Sequence, residues 1–176
     1  MKKPRKPFSF HSTNISYNTT AITQVETAIP AFIGYTEKAE KSGQDLTNLP
    51  TKISSLLEYE DFFGVSQNEK NLTVTITDTL NNNGLTQTQD RKISTHNSAP
   101  SPFTMYYALQ LYFINGGTSC YIISVGDYNN TTVSKSQLVD GFSVLENYKE
   151  PTLLVFPDAV NISTAYNYYD LIHQAL

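Results

Sequence analysis

The chain has 176 residues, 39% of them hydrophobic, 12% aromatic and only 16% charged, with a formal net charge of -4. That length and apolar content suit one folded domain with a real core and exclude a disordered chain. Lys2, Lys3, Arg5 and Lys6 crowd the first six positions, so the rest is markedly acidic, which argues against a nucleic-acid partner.

No apolar run approaches the ~20 residues of a membrane span, so membrane insertion is not expected. The basic start is followed by no apolar stretch, so no secretory signal is expected and the chain should fold in a reducing cytoplasm. Cys120 has no cysteine partner in the chain. Its apolar setting predicts an inert buried thiol. The Asn-x-Ser/Thr triplets at Asn14, Asn18, Asn71, Asn130 and Asn161 reflect an Asn- and Thr-rich composition rather than glycosylation. A surface of neutral polar groups repels copies of itself weakly, which suits self-association.

Residues 1–24 are polar, with Pro4, Pro7 and no helical period. Phe8, Phe10, Ile15 and Tyr17 give a broken alternation. This reads as an extended N-terminal arm that buries little by itself, so it is either disordered or bound to something. The α/β core is expected over 25–176, interrupted by an inserted hairpin over about 65–100.

Ile29 to Tyr35 is a short apolar strand with Pro30 near its start, where a missing N–H is tolerated. Glu37 to Asn48 reads as a polar loop. Ser55 and Glu58 form a capping box for a helix with Leu56, Tyr59 and Phe63 on one face, and Gly64 stands where a left-handed residue ends it.

Leu72, Val74 and Ile76 alternate with Thr73, Thr75 and Thr77, predicting a half-buried strand. Asn82-Asn83-Gly84 is a hairpin turn, and Gly84 to Ile93 the return. Ser101 and Pro102 open a second helix as N-cap and first residue, with Met105, Leu109, Tyr112 and Phe113 inward and Asn115-Gly116-Gly117 at its end.

Cys120 to Val125 is a continuous apolar run, as in a strand covered on both faces. A helix over about Ser134 to Tyr148 points Leu138, Phe142 and Leu145 inward. Leu153 to Phe156 reads as another covered strand, stopped by Pro157. Asn161 caps a last helix with Ile162, Ala165, Tyr166, Tyr169 and Ile172 on one stripe. Covered strands alternating with helices predict an α/β fold: a mixed, mostly parallel sheet flanked by helices, with right-handed crossovers.

Motifs for chemistry are sparse. His11, His96 and His173 are far apart, so no metal is expected, and Cys120 has no neighbouring base or cation to activate it. Gly116-Gly117 precedes a strand, the wrong order for a phosphate loop, so no cofactor is expected. Asp158, after a strand, is placed to act as a general base or Mg²⁺ ligand at a sheet crevice; the structural alternative is that Pro157 and Asp158 start the next helix, with Asp158 favourable near its N-terminus. Tyr106-Tyr107 and Tyr168-Tyr169 read as core plus interface.

Four collinear segments resemble one known family. They are Val25 to Ala39 (VETAIPAFIGYTEKA), Pro50 to Gly64 (PTKISSLLEYEDFFG), Phe113 to Gly126 (FINGGTSCYIISVG) and Glu150 to Val160 (EPTLLVFPDAV). In this order and spacing they resemble the contractile tail sheath protein of myophages and contractile injection systems, closest to the injection-system type.

The resemblance implies a non-enzymatic, structural subunit with no cofactor, made in the bacterial cytoplasm and built into a phage tail or phage tail-like particle. Its partners would be further sheath subunits, an inner tube protein, and baseplate and terminal cap proteins. Stacked hexameric rings would sleeve the tube, each arm adding a strand to a neighbour's sheet with Phe8, Phe10, Ile15 and Tyr17 as its inter-subunit contacts, and contraction would drive the tube through a target envelope. Sheaths of this family are usually at least twice as long, so the chain corresponds to the N-terminal half. Its arm lacks their Pro-Gly-Val-Tyr-like start. The alternatives are a small α/β enzyme with a crevice near Asp158, or a binding module that grips a partner with the Leu72 to Ile93 hairpin.

Overall fold

The structure, a computed structural model, describes residues 28–80 and 88–176. The arm residues Phe8, Phe10, Ile15 and Tyr17 and the turn Asn82-Asn83-Gly84 lie outside them. In chain order the elements are β1 (Ile29–Thr36), β2 (Glu40–Lys41), β3 (Gln44–Asp45), β4 (Thr51–Ile53), α1 (Leu56–Phe63), β5 (Leu72–Leu80), β6 (Thr88–Asn97), α2 (Met105–Ile114), β7 (Cys120–Asp127), α3 (Lys135–Ser143), β8 (Pro151–Val155) and α4 (Ala165–Ala175). One-turn 3-10 helices at Val144–Asn147 and Pro157–Asn161 flank β8.

The fold is α/β, as the alternation of elements predicts. One mixed sheet runs β4-β7-β1-β8. β1 pairs in parallel with both β7 and β8, while β4 lies antiparallel on β7. β1 is buried along all its residues, because it is central and covered on both faces, which is why its sequence is a run rather than an alternation.

Successive strand residues point to opposite faces, and the core divides accordingly. Ala31, Ile33 and Tyr35, with Ile123 and Val125 of β7, pack beneath Leu138, Leu145 and Leu171 on the α3–α4 side. Phe32 and Ile122 pack with Tyr59, Phe62, Phe63, Met105 and Leu109 on the α1–α2 side. At Gly141 of α3 a Cβ would lie 2.3 Å from Val125 Cγ1, so the helix backbone rests directly on the sheet.

Several expectations are corrected. Within the 37–48 loop, β2 and β3 form a short antiparallel pair, and β4 adds an edge strand that no apolar pattern announces. Ser55 does accept from Glu58 N (3.2 Å), but the Glu58 carboxylate reaches Ser54 N (2.9 Å), one residue before the cap. Phe62 replaces Leu56 among the fully inward residues of α1.

The β5 strand is not half-buried. It pairs only with β6 in a separate ribbon, and its described side chains are exposed on both faces. The return strand runs Thr88–Asn97, later than expected. Ser101 and Pro102 precede α2 without capping it; the cap comes from a distant residue. β8 is an edge strand, and Leu153 is 53% exposed. Thr164, not Asn161, caps α4 by accepting from Asn167 N. Asn161 instead donates its Nδ2–H to Pro102 O (2.8 Å), and Leu171 rather than Tyr166 or Tyr169 is the buried residue of the helix.

Candidate functional site

Two places come into question: Asp158, singled out by its position after a strand, and the crevice that the topology itself creates.

Asp158 is fully buried in the 3-10 turn after β8. Its Oδ2 accepts from Tyr35 N at 2.8 Å. Its Oδ1 accepts from Thr104 N at 2.5 Å, Met105 N at 3.1 Å and Thr104 Oγ1 at 3.3 Å. One carboxylate thus caps the N-terminus of α2, where orphan amides favour negative charge, and ties it to the end of β1. Burial pushes its carboxyl above the ordinary range, against the downward pull of those donors. The structural use holds, but on α2 rather than on the turn that carries the residue.

The crevice lies elsewhere. From β1 the chain passes over the α1–α2 face before returning as β7; from β7 it crosses the other face through α3 to β8. Neighbouring strands whose exits diverge leave a gap at their carboxyl ends, and open α/β sheets bind ligands in such gaps. Here it holds about 770 Å³. Thr36 lines it from the end of β1 and Glu37 from just beyond, Ser124 to Asp127 from β7, Asp45 from β3, Asn48 from the loop after it, and Gln137 from α3.

Most of those polar groups serve the scaffold. The hydroxyls of Thr36 and Ser124 share a hydrogen bond at 2.6 Å, and Thr36 Oγ1 donates to Lys38 O at 2.7 Å. Glu37 accepts from Val65 N at 2.8 Å. Asp127 accepts from Asn129 N and Nδ2, at 3.0 and 2.8 Å. Gln137 Oε1 accepts from Tyr35 Oη at 2.7 Å, and that oxygen accepts from Ser134 N at 2.9 Å. Burial raises the Tyr35 phenol above its ordinary pKa.

The other candidates do not converge. Cys120 is buried on β7, and burial pushes its thiol to about 12. His96 is exposed on the ribbon and His173 on α4, while His11 lies outside the described residues. Among the described residues no group of three or more His, Cys, Asp or Glu is arranged to hold a metal, and no helix is long and apolar enough to cross a membrane. Tyr106 reaches Glu60 at 2.7 Å, while Tyr107, Tyr166 and Tyr169 face solvent. The crevice escaped sequence reasoning because it is made by strand order. Thr36 and Ser124 are 88 residues apart, and no chemical motif marks either.

No protein-family model matches the chain, and no curated protein matches it.

Proposed function

We propose that the chain is a structural subunit of a contractile tail sheath, a non-enzymatic building block that stacks around an inner tube. One observation carries this reading. The four segments that resemble sheath proteins fall on the four strands of the sheet: β1, β4 with α1, β7 up to Gly126, and β8 with the Asp158 turn up to Val160. The resemblance thus falls on framework, and Asp158, the best catalytic candidate within it, is spent on capping α2. The β8 edge, with Leu153 half-exposed, and the outward Val160, Tyr166 and Tyr169 leave apolar surface for assembly.

On this reading residues 1–24 reach a neighbouring subunit and take main-chain partners there. Repeated head-to-tail contact that does not close builds a helical sleeve. The work comes from relaxation of an extended lattice.

Negative-stain microscopy of the native assembly tests the reading. Striated sleeves around a tube, labelled by antibody to this chain, are expected; particles without a sleeve overturn it. Deleting residues 1–20 should leave a folded monomer that no longer polymerises with full-length partners. Normal sleeves from the deletion would remove the arm from the proposal.

The switch-point crevice favours a second reading, a module that binds a small polar ligand between β1 and β7. Thermal-shift screening distinguishes the two: a saturable stabilisation abolished by Ser124→Phe supports it, and no stabilisation by any compound removes it.

A further inference from the structure

The β5–β6 ribbon stands apart from the body's sheet. Leu72, Val74 and Ile76 on β5 and Ile93 on β6 are each more than half exposed. Ile76 sits opposite Ile93, so all four lie on one face, and Thr73, Thr75 and Thr77 occupy the other. A two-stranded ribbon is marginal in water by itself; a third strand is what makes such a sheet stable.

Its two outer edges are not equivalent. The β6 edge carries Asp90, Arg91 and Lys92, charged side chains that blunt an edge against pairing. Along β5, Leu72 through Thr77 contains no charge, proline or glycine and alternates aliphatic with threonine. Neutral, β-branched segments of this kind pair with copies of themselves. Asp78 follows, and Arg91 already holds it at 2.7 and 2.8 Å.

We propose that the outer edge of β5 pairs antiparallel with β5 of a second copy, about a two-fold axis through Val74. In that register Val74 meets Val74 of the second copy, Leu72 meets its Ile76, and Thr73 meets its Thr75. Aliphatic lies on aliphatic and threonine on threonine, both favourable cross-strand pairs. Four residues from the axis, Lys70 falls opposite Asp78 of the second copy, so the first charges beyond the neutral stretch are of opposite sign. Shifting the register by one residue would set threonines against aliphatics. The product is a four-stranded sheet, β6-β5-β5-β6, with a body at each end.

Strand pairing of this length buries less than a standard interface of about 1,600 Å², so the dimer is reversible. A two-fold contact closes on itself. It holds free subunits in pairs or joins two assemblies side by side, and it does not extend a polar sleeve. The pairing therefore stands or falls separately from the sheath reading.

Cysteine trapping on the full-length protein tests it. Cys120 is buried, so an introduced ribbon thiol is the reactive one. Val74→Cys should form a disulfide-linked dimer under mild oxidation, whereas Ser94→Cys on β6 should not. Sedimentation of the unmodified protein should show a monomer–dimer equilibrium that Val74→Lys weakens at least tenfold. Lys70→Glu should weaken it less. All variants should keep the parent circular dichroism and melting temperature, because the ribbon lies outside both core clusters. A strict monomer at every concentration overturns the proposal, as does equal cross-linking through Ser94→Cys. Cross-linking that appears only after residues 1–27 are deleted assigns the edge to the chain's own N-terminal segment and overturns it too.

Discussion

Gly34 and Asp158 are matched to one another: a Cβ on Gly34 would lie 2.5 Å from Asp158 Oδ2 and 2.8 Å from Met105 Sδ. The Met105 side chain could move aside. The carboxylate could not, because two backbone elements hold it through Tyr35 N and Thr104 N. Gly34→Ala should therefore destabilise the fold by about 1–3 kcal/mol, the usual effect of forcing a methyl into a filled site. Urea denaturation measures it; an unchanged midpoint would mean that the carboxylate is not anchored as described.

Asp158→Ala leaves the amides of Tyr35, Thr104 and Met105 without their acceptor. Each buried orphan donor costs about 1–3 kcal/mol, so a total loss of about 3 kcal/mol or more is expected, with the α2 start fraying first in amide exchange. A catalytic Asp158 would instead lose activity on a fold of normal stability.

The same residue sets a pH dependence. Its folded pKa is raised by burial, so the folded state holds the proton more tightly than the unfolded chain, whose value is about 3.9. Its contribution is full below that value and declines as pH rises through the raised one. The stability gap between the parent and Asp158→Asn should narrow across that window in chemical denaturation. A gap that widens would mean that the four donors outweigh burial.

At Gly141 two effects compete. Alanine gains about 1 kcal/mol of helix propensity over glycine. Its methyl, however, would lie 2.3 Å from Val125 Cγ1 and 2.8 Å from Ile33 Cγ2, both on buried β-branched residues of the sheet. Overpacking at about 1–3 kcal/mol wins, so Gly141→Ala should lower the melting temperature despite the better helix former. A rise would show that α3 can lift off the sheet freely.

Cys120 should be silent in the native protein. Its thiol is buried and, with its pKa pushed to about 12, almost wholly protonated at pH 8. A thiol-labelling reagent should react only as fast as the domain opens, and at the rate of an ordinary thiol in denaturant. Rapid native labelling would remove Cys120 from the core.

Much of the architecture is legible in the residues themselves. β1 and β7 are called by unbroken apolar runs, and α1 by Ser55, Glu58 and Gly64, because burial on both faces and capping each leave a local signature. β4, at Thr51–Ile53, leaves none: three residues are too short for a period. β8 misleads in the other direction. Leu153 to Phe156 is apolar enough for a central strand, yet it lies at the edge of this sheet. The ribbon shows the same limit, since alternation marks the strand but not whether anything covers its apolar face.

Local order, then, follows from the chain alone wherever a segment leaves a pattern: the apolar runs of β1 and β7, the capped start of α1 and the alternation of β5. Those properties depend on neighbours a few residues apart. Strand order, the crevice between β1 and β7, and the use of Asp158 to cap a helix 53 residues before it were decided by tertiary structure. Each depends on which faces remain to be buried once the sheet has assembled, and no local pattern encodes that.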